Sequence, residues 1–152
     1  MAEPVDWQLA AATATRIAPG GPPTSTADAA ATVAQLRELA LAARAPVREV
    51  TRLRAPDDLV AAVVDRPAWI EANTGSMKAM VEPLGRRLPE GKMHAVASRV
   101  NALQVGAMLG WLSTKVLGQF EALPPAGQPA RLLLVAPNIV SVSPRSLSTL
   151  GG

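Results

Sequence analysis

The sequence predicts a mostly helical α+β fold, a helical bundle followed by a short C-terminal β element. Three observations carry this. Stretches rich in Ala and Leu place apolar residues at helical spacing and are separated by Pro/Gly breakers. The run Arg131-Leu132-Leu133-Leu134-Val135 is short, apolar and bounded by loop residues, as a buried strand would be. Apolar residues make up 49% of the chain but aromatics only 3%, so the core must be built from Ala, Val, Leu and Met. Small side chains bury little area each, at roughly 25 cal/mol per Å², so a marginally stable unit is expected.

Asp6 to Ala18 reads as a first helix with Asp6 as its cap. Pro19-Gly20-Gly21-Pro22-Pro23 ends it. Ser25 or Thr26 caps a second helix reaching about Ala43, with Val33, Leu36, Ala40 and Ala43 on one face. Pro46 opens a short third helix that turns Val47, Val50 and Leu53 inward, and Pro56 follows as punctuation. Asp57-Asp58, an adjacent carboxylate pair, reads as a helix start. The apolar run after it, Leu59 to Val64, has no periodicity that decides between helix and strand.

Asp65-Arg66-Pro67 begins the next helix, since Asp65 can cap and Pro67 sits early enough that its missing N–H costs nothing. This helix carries Trp69, Asn73, Met77, Met80, Val81, Leu84 and Leu88. Pro83 is expected to kink it or end it near Glu82, and Pro89-Glu90-Gly91 makes a turn. Met93 to Phe120 is the longest candidate helix. Between Ala102 and Gly118 it is apolar nearly all round, which implies burial on most sides. Ala102, Gly106, Gly110, Thr114 and Gly118 recur every four residues and form a stripe of small residues that admits another backbone. The preceding helix is the expected neighbour. Asn101, Gln104 and Lys115 interrupt the apolar stretch, and a span needs about 20 apolar residues, so the helix reads as buried rather than transmembrane.

Pro124-Pro125-Ala126-Gly127 is a loop, Arg131 to Val135 a strand, Pro137-Asn138 a turn, and Ile139-Val140-Ser141-Val142 a second short strand. Residues 1–142 therefore read as one helical region with a β element at about 131–142. Residues 143–152 form a divergent tail, without acidic residues, that is expected to be disordered.

Composition removes several function classes. With no cysteine there is no disulfide, thiolate metal site or Cys nucleophile. The first residues carry Glu3 and Asp6 and no basic region, so they do not read as a secretory signal, and a cytoplasmic location is expected. The formal charge of +3 is spread thinly. Only Arg86, Arg87 and Lys92 approach a cluster, which reads as a solvated helix end rather than a nucleic-acid surface.

The chemistry-bearing residues are few. His94 is the single histidine, and Ala95-Val96-Ala97-Ser98 after it supplies neither the second His nor the Glu of a helical zinc motif. A serine nucleophile needs a base in reach. Ser76 and Ser98 are available, yet nothing in the spacing ties either to His94. Asp57-Asp58 alone is a poor cation site. Gly20-Gly21 and Gly106 with Gly110 do not follow a strand and open a helix as a phosphate loop must. The residues thus offer no catalytic, cofactor-binding or metal-ligating set.

Several stretches together do suggest a family. They are Val5-Asp6-Trp7 with Ala12-Thr13-Ala14-Thr15-Arg16, Val47-Arg48-Glu49-Val50-Thr51, and Val64-Asp65-Arg66-Pro67-Ala68-Trp69-Ile70 with Ala72-Asn73. Gln104-Val105-Gly106 through Leu117-Gly118-Gln119-Phe120 follows, then Leu132-Leu133-Leu134-Val135-Ala136-Pro137-Asn138-Ile139-Val140. In this order, over roughly residues 5–142, the chain resembles the N-terminal portion of the zincin-like metallopeptidase type 2 family. Members are described as zinc-dependent metalloproteases, proposed hydrolases, or proteins associated with deazaflavin-coenzyme biosynthesis. The resemblance implies zinc in full-length members, held by a His-Glu-x-x-His helix expected shortly after Asn138-Ile139-Val140. The chain departs from the pattern at about Ser143, so the metal ligands and the base Glu have no counterparts to carry over. The expected function is a non-catalytic N-terminal fragment of a metallopeptidase-like protein, as a truncated reading frame would give. Its partner would be another protein or the missing catalytic segment, with no nucleic acid and no membrane. The alternative is a stand-alone helical interaction module without enzymatic activity. In zincins a strand beside the active-site helix can pair with extended substrate, and Leu132 to Val135 or Ile139 to Val142 are the candidates.

Overall fold

A computed structural model describes residues 3–85, 91–121 and 127–142. The elements are α1 (Trp7–Ile17), α2 (Thr26–Ala42), α3 (Arg44–Thr51), β1 (Val60–Val64), α4 (Arg66–Gly85), α5 (Lys92–Leu112), β2 (Gly118–Glu121), β3 (Arg131–Val135) and α6 (Ala136–Val142). The fold is therefore mostly helical with a small sheet, the expected α+β class. The Arg86-Arg87 pair, the turn at Pro89-Glu90, the loop at Pro124 to Ala126, the tail from Ser143 and the side chains of Leu84 and Leu88 lie outside the described residues.

The chain forms two compact units, Met1–Gly20 with Arg66–Lys115, and Gly21–Asp65 with Val116–Gly152. The first holds α1, α4 and α5. Asp6 caps α1 by accepting from the Leu9 backbone N–H at 3.0 Å, and its own N–H donates to the Ser98 carbonyl of α5 at 3.3 Å. Helix α1 packs on both α4 and α5. Val5, Trp7, Ala10 and Ala102 form a buried cluster, with Leu9, Met77, Val81 and Val105 against it. A core with fully buried alanines at positions 10, 14 and 102 fits the small-residue composition. Arg66, at the start of α4, is itself buried and donates from Nη1 to the carbonyls of Pro19 (2.5 Å) and Gly20 (2.9 Å). These bonds tie the segment that follows α1 to the first turn of α4.

Three expectations about this unit are corrected. The small-residue stripe of α5 faces α1, not the preceding helix α4. A Cβ at Gly106 would lie 2.6 Å from the Ala10 carbonyl oxygen, and one at Gly110 would lie 2.8 Å from that of Ala14. Helix α5 also stops at Leu112 rather than Phe120. Ser113 Oγ donates to the Gly110 carbonyl at 2.7 Å and Thr114 Oγ1 to that of Trp111 at 2.8 Å, so hydroxyls take over the last carbonyls. The stripe thus ends before Gly118. Nor is α5 buried on most sides, because Leu103, Met108 and Trp111 are exposed. Pro83 lies within α4, which runs on to Gly85. A proline this close to a helix end removes only one backbone bond.

The second unit contains α2, α3, the sheet and α6. Ser25 caps α2, its Oγ accepting from Asp28 N–H at 3.1 Å and donating to Asp28 Oδ2 at 2.6 Å. Leu36 is buried on the expected face with Val33 and Ala40 half-buried, whereas Ala43 is exposed at the corner into α3. The inward face expected for α3 is not there: Val47, Val50 and Leu53 are all exposed. The helix closes at Arg52, which has a left-handed φ of 60°, and Thr51 Oγ1 accepts from Leu53 N–H at 3.2 Å.

The sheet has the order β1-β3-β2. β1 pairs parallel to β3, from Val60 opposite Arg131 to Val64 opposite Val135. β2 runs antiparallel to β3, with Gly118 opposite Leu134 and Glu121 opposite Arg131. The undecided run before α4 is therefore a strand, and Asp57-Asp58 forms the turn leading toward it rather than a helix start. The second predicted strand is a correction in the other direction. Ile139 to Val142 belongs to α6, despite β-branched residues. Pro137 sits at the second position of α6, where its fixed φ suits a helix and its missing N–H is no loss. Asn138 is buried and donates from Nδ2 to the Val116 carbonyl at 2.7 Å, which holds this turn in place.

Candidate functional site

No residue of the sequence was expected to be catalytic or metal-ligating, so the question is where the chemistry-bearing side chains fall. His94 lies near the start of α5. Its Nε2 donates to the Glu3 carbonyl at 3.0 Å, which ties the N-terminal segment to this helix. Glu3 is also 3.1 Å from Lys78 of α4 through its carboxylate, and Asn101 Nδ2 donates to the Pro4 carbonyl at 3.0 Å. These bonds give His94 a structural task, pinning Glu3 and Pro4 over the helices. Ser98 is buried one turn along α5, where its backbone carbonyl receives the Asp6 N–H. Ser76 lies half-buried on α4. Asp57 and Asp58 are exposed in the other unit.

The residues present do not fit a zinc site. Among the described residues no group of three or more His, Cys, Asp or Glu comes together. A zinc centre takes at least three protein ligands, with imidazole nitrogens about 2.0–2.1 Å from the metal. The single His of this sequence directs one of its ring nitrogens to a backbone carbonyl. We therefore expect the purified 152-residue chain to hold less than stoichiometric zinc after dialysis, as read by elemental analysis. One zinc per chain surviving dialysis would overturn this.

Two buried polar groups escaped the sequence reading. Glu121, at the end of β2, accepts from Arg131 Nε at 2.7 Å, and Arg131 Nη2 lies 2.7 Å from the same oxygen. Both residues are opposite one another in the sheet register. Asn138 links α6 to the segment before β2. Neither pair has a short sequence spacing: strand pairing brings Glu121 to Arg131, and the placing of α6 brings Asn138 to Val116.

The sheet also corrects the strand expected to meet extended substrate. β3, which contains Leu132 to Val135, is the central strand and is hydrogen-bonded on both sides. A strand paired on both sides has no backbone groups left for a guest. Ile139 to Val142 is helical. Among the described residues, the edges belong to β1 and β2. No helix among the described residues is long and apolar enough to cross a membrane.

Comparison with known proteins adds what the residues alone do not. Residues 5–148 match the model of a family described as zincin-like metallopeptidase. A solved structure from Chloroflexus aurantiacus, described as a proposed hydrolase with a novel fold, is 27% identical and superimposes with a TM-score of 0.61. The match covers 93% of this chain and 45% of that one, so the chain spans under half the length of its structural relative. No curated protein matches.

Proposed function

We propose that this chain, which belongs to the zincin-like metallopeptidase family, is the non-catalytic N-terminal portion of a zinc-dependent, metallopeptidase-like hydrolase. The observation that carries the reading is the pairing of two facts. The family match extends over residues 5–148, and the 152 residues include one histidine and no His-Glu-x-x-His. The alignment with 45% of a hydrolase chain supports the same reading. In this reading residues 1–142 serve as a mostly helical scaffold with a small sheet, and the family match runs to residue 148, later than the departure expected at Ser143 from the sequence.

A zinc peptidase needs a metal-bound water, a base to take its proton and a stabiliser for the oxyanion. His94 is the single histidine of the sequence, the residue type that most often serves as a general base, and its ring is engaged with the Glu3 carbonyl. The scaffold's contribution in this reading is positional. Its sheet offers edge strands, and short backbone ladders at an edge can align an extended guest.

The test is peptide cleavage by the purified 152-residue chain with added zinc. No chelator-sensitive cleavage is expected. Joining a His-Glu-x-x-His segment of the family downstream of Val142 should confer chelator-sensitive cleavage. Cleavage by the short chain that a chelator abolishes and His94→Ala leaves unchanged would reveal a carboxylate-built site and sink the proposal.

A further inference from the structure

Every residue from Leu41 to Asp58 is exposed. Helix α3 lies inside this stretch and has no buried residue. Val47 is 56% exposed, Val50 83%, and Leu53, just past the helix end, 73%. Val47 and Val50 are three residues apart and so share a side of the helix. A helix this short draws its stability from packing more than from its own hydrogen bonds, and α3 has little packing here. It is braced all the same. Arg44 Nη2 donates to the Leu59 carbonyl at 2.7 Å. Thr51 Oγ1 donates to the Val47 carbonyl at 2.7 Å and accepts from Leu53 N–H at 3.2 Å. Arg52 ends the helix at a φ of 60°, a conformation unfavourable for a residue with a Cβ. Three apolar side chains are thus held outward in a fixed arrangement.

We infer, taking the chain as the N-terminal portion of a longer hydrolase as proposed above, that this face of α3 docks the downstream segment carrying the His-Glu-x-x-His helix. Extent is the first reason. The solved relative shares this fold over 93% of the chain and has more than half of its own length besides, which must lie somewhere against the shared part. Position is the second. α3 and α6 belong to the same compact unit, and α2 contacts both. α6 ends at Val142, which is 66% exposed, so a chain continuing from it leaves the unit that carries α3. The exposed apolar residues of α5 belong to the other unit. Charge is the third, and it sets the chemistry of the facing surface. Between residues 44 and 54, Arg44, Arg48, Arg52 and Arg54 stand against a single acid, Glu49. This is a second cationic grouping beside Arg86, Arg87 and Lys92, spread over a helix and its exit. Among the described residues, Arg48, Arg52 and Arg54 have no ion-pair partner. A surface that covers Val47, Val50 and Leu53 must therefore carry carboxylates around its apolar centre, because covering unpaired cations is costly. A second copy of α3 would instead set these arginines against their own kind.

The chain contains no cysteine, so one introduced thiol reports cleanly. Val50→Cys is compared in the 152-residue chain and in the same chain joined to a cysteine-free His-Glu-x-x-His segment of the family. Maleimide should label it rapidly in the short chain and at least about tenfold more slowly in the joined chain, since a covered thiol reacts only when its cover opens. Leu103→Cys on α5 should be slowed less. In the joined chain, Arg48→Glu with Arg54→Glu should bring the Val50→Cys rate back toward that of the short chain. Chelator-sensitive cleavage by the joined chain without slowing at Val50→Cys would overturn the docking and leave the proposed function standing. Slowing without cleavage would support the docking and sink the proposed function, and neither effect would overturn both. Equal slowing at Val50→Cys and Leu103→Cys would overturn the assignment to α3. A rate that the two arginine substitutions leave unchanged would overturn the acidic character of the facing surface.

Discussion

Gly106→Leu is expected to destabilise the protein by about 1–3 kcal/mol or more through overpacking, read as a fall in melting temperature. For a chain of this size that is roughly 2–4 °C for each kcal/mol. The cause lies in the approach of α1. A Cβ at Gly106 would stand 2.6 Å from the Ala10 carbonyl oxygen and 2.7 Å from Thr13 Cβ. The first of these atoms is backbone, so no rotamer change relieves the contact. Gly110→Leu should behave alike, with the Ala14 carbonyl oxygen 2.8 Å from its Cβ and Ile17 Cβ at 3.1 Å. Gly106→Ala is the sharper experiment. Helix propensity favours Ala by roughly 1 kcal/mol, so a net loss at this site isolates the clash. Gly75→Ala in α4 is the matched control. A Cβ there meets nothing within 4 Å, and the substitution should raise the melting temperature. If Gly106→Ala also raises it, α1 and α5 are not in close contact.

Arg131→Met is the second substitution with a large expected effect. Glu121 keeps only 3% of its side chain accessible, against 28% for Arg131, and both Nε and Nη2 of Arg131 address the same Glu121 oxygen. Removing the cation leaves a buried carboxylate without its two guanidinium contacts. Breaking a buried pair in this way costs about 3–5 kcal/mol, and the partial exposure of Arg131 places the expected loss near the lower end. The double variant Glu121→Gln/Arg131→Met should recover much of that loss, since removing both charges also removes the desolvation cost. Denaturant midpoints of the two single variants and the double variant decide. If Arg131→Met costs less than about 0.5 kcal/mol, as an exposed surface pair would, the pairing of β2 with β3 at Glu121 and Arg131 is wrong.

Legibility differed sharply between elements. Caps were readable because they are local: Asp6 and Ser25 bond to backbone N–H groups three residues along. The strand at Arg131 to Val135 was readable because a short apolar run between loops has few alternatives. Ile139 to Val142 was misread because β-branched residues suggest a strand, while Pro137 and the buried Asn138 favour a helix start. Val60 to Val64 was undecidable alone, since its assignment depends on parallel pairing with a strand far along the chain. The inward face of α3 failed for a related reason. Amphipathic spacing shows that Val47 and Val50 share a side, but not whether anything packs against it, and both are exposed.

The sequence by itself determined the α+β class, the positions of most helices, and the close-approach stripe at Gly106 and Gly110. Each follows from residue identity or from spacing within a few turns. Only the tertiary structure decided that α1 rather than α4 occupies that stripe, that β3 is the central strand, and that Glu121 meets Arg131. It also decided that the opposite face of α5 stays open. Those facts depend on which distant segments meet. Helical and strand periodicity fix which side of an element is apolar, while its partner is set by packing between elements far apart in the chain.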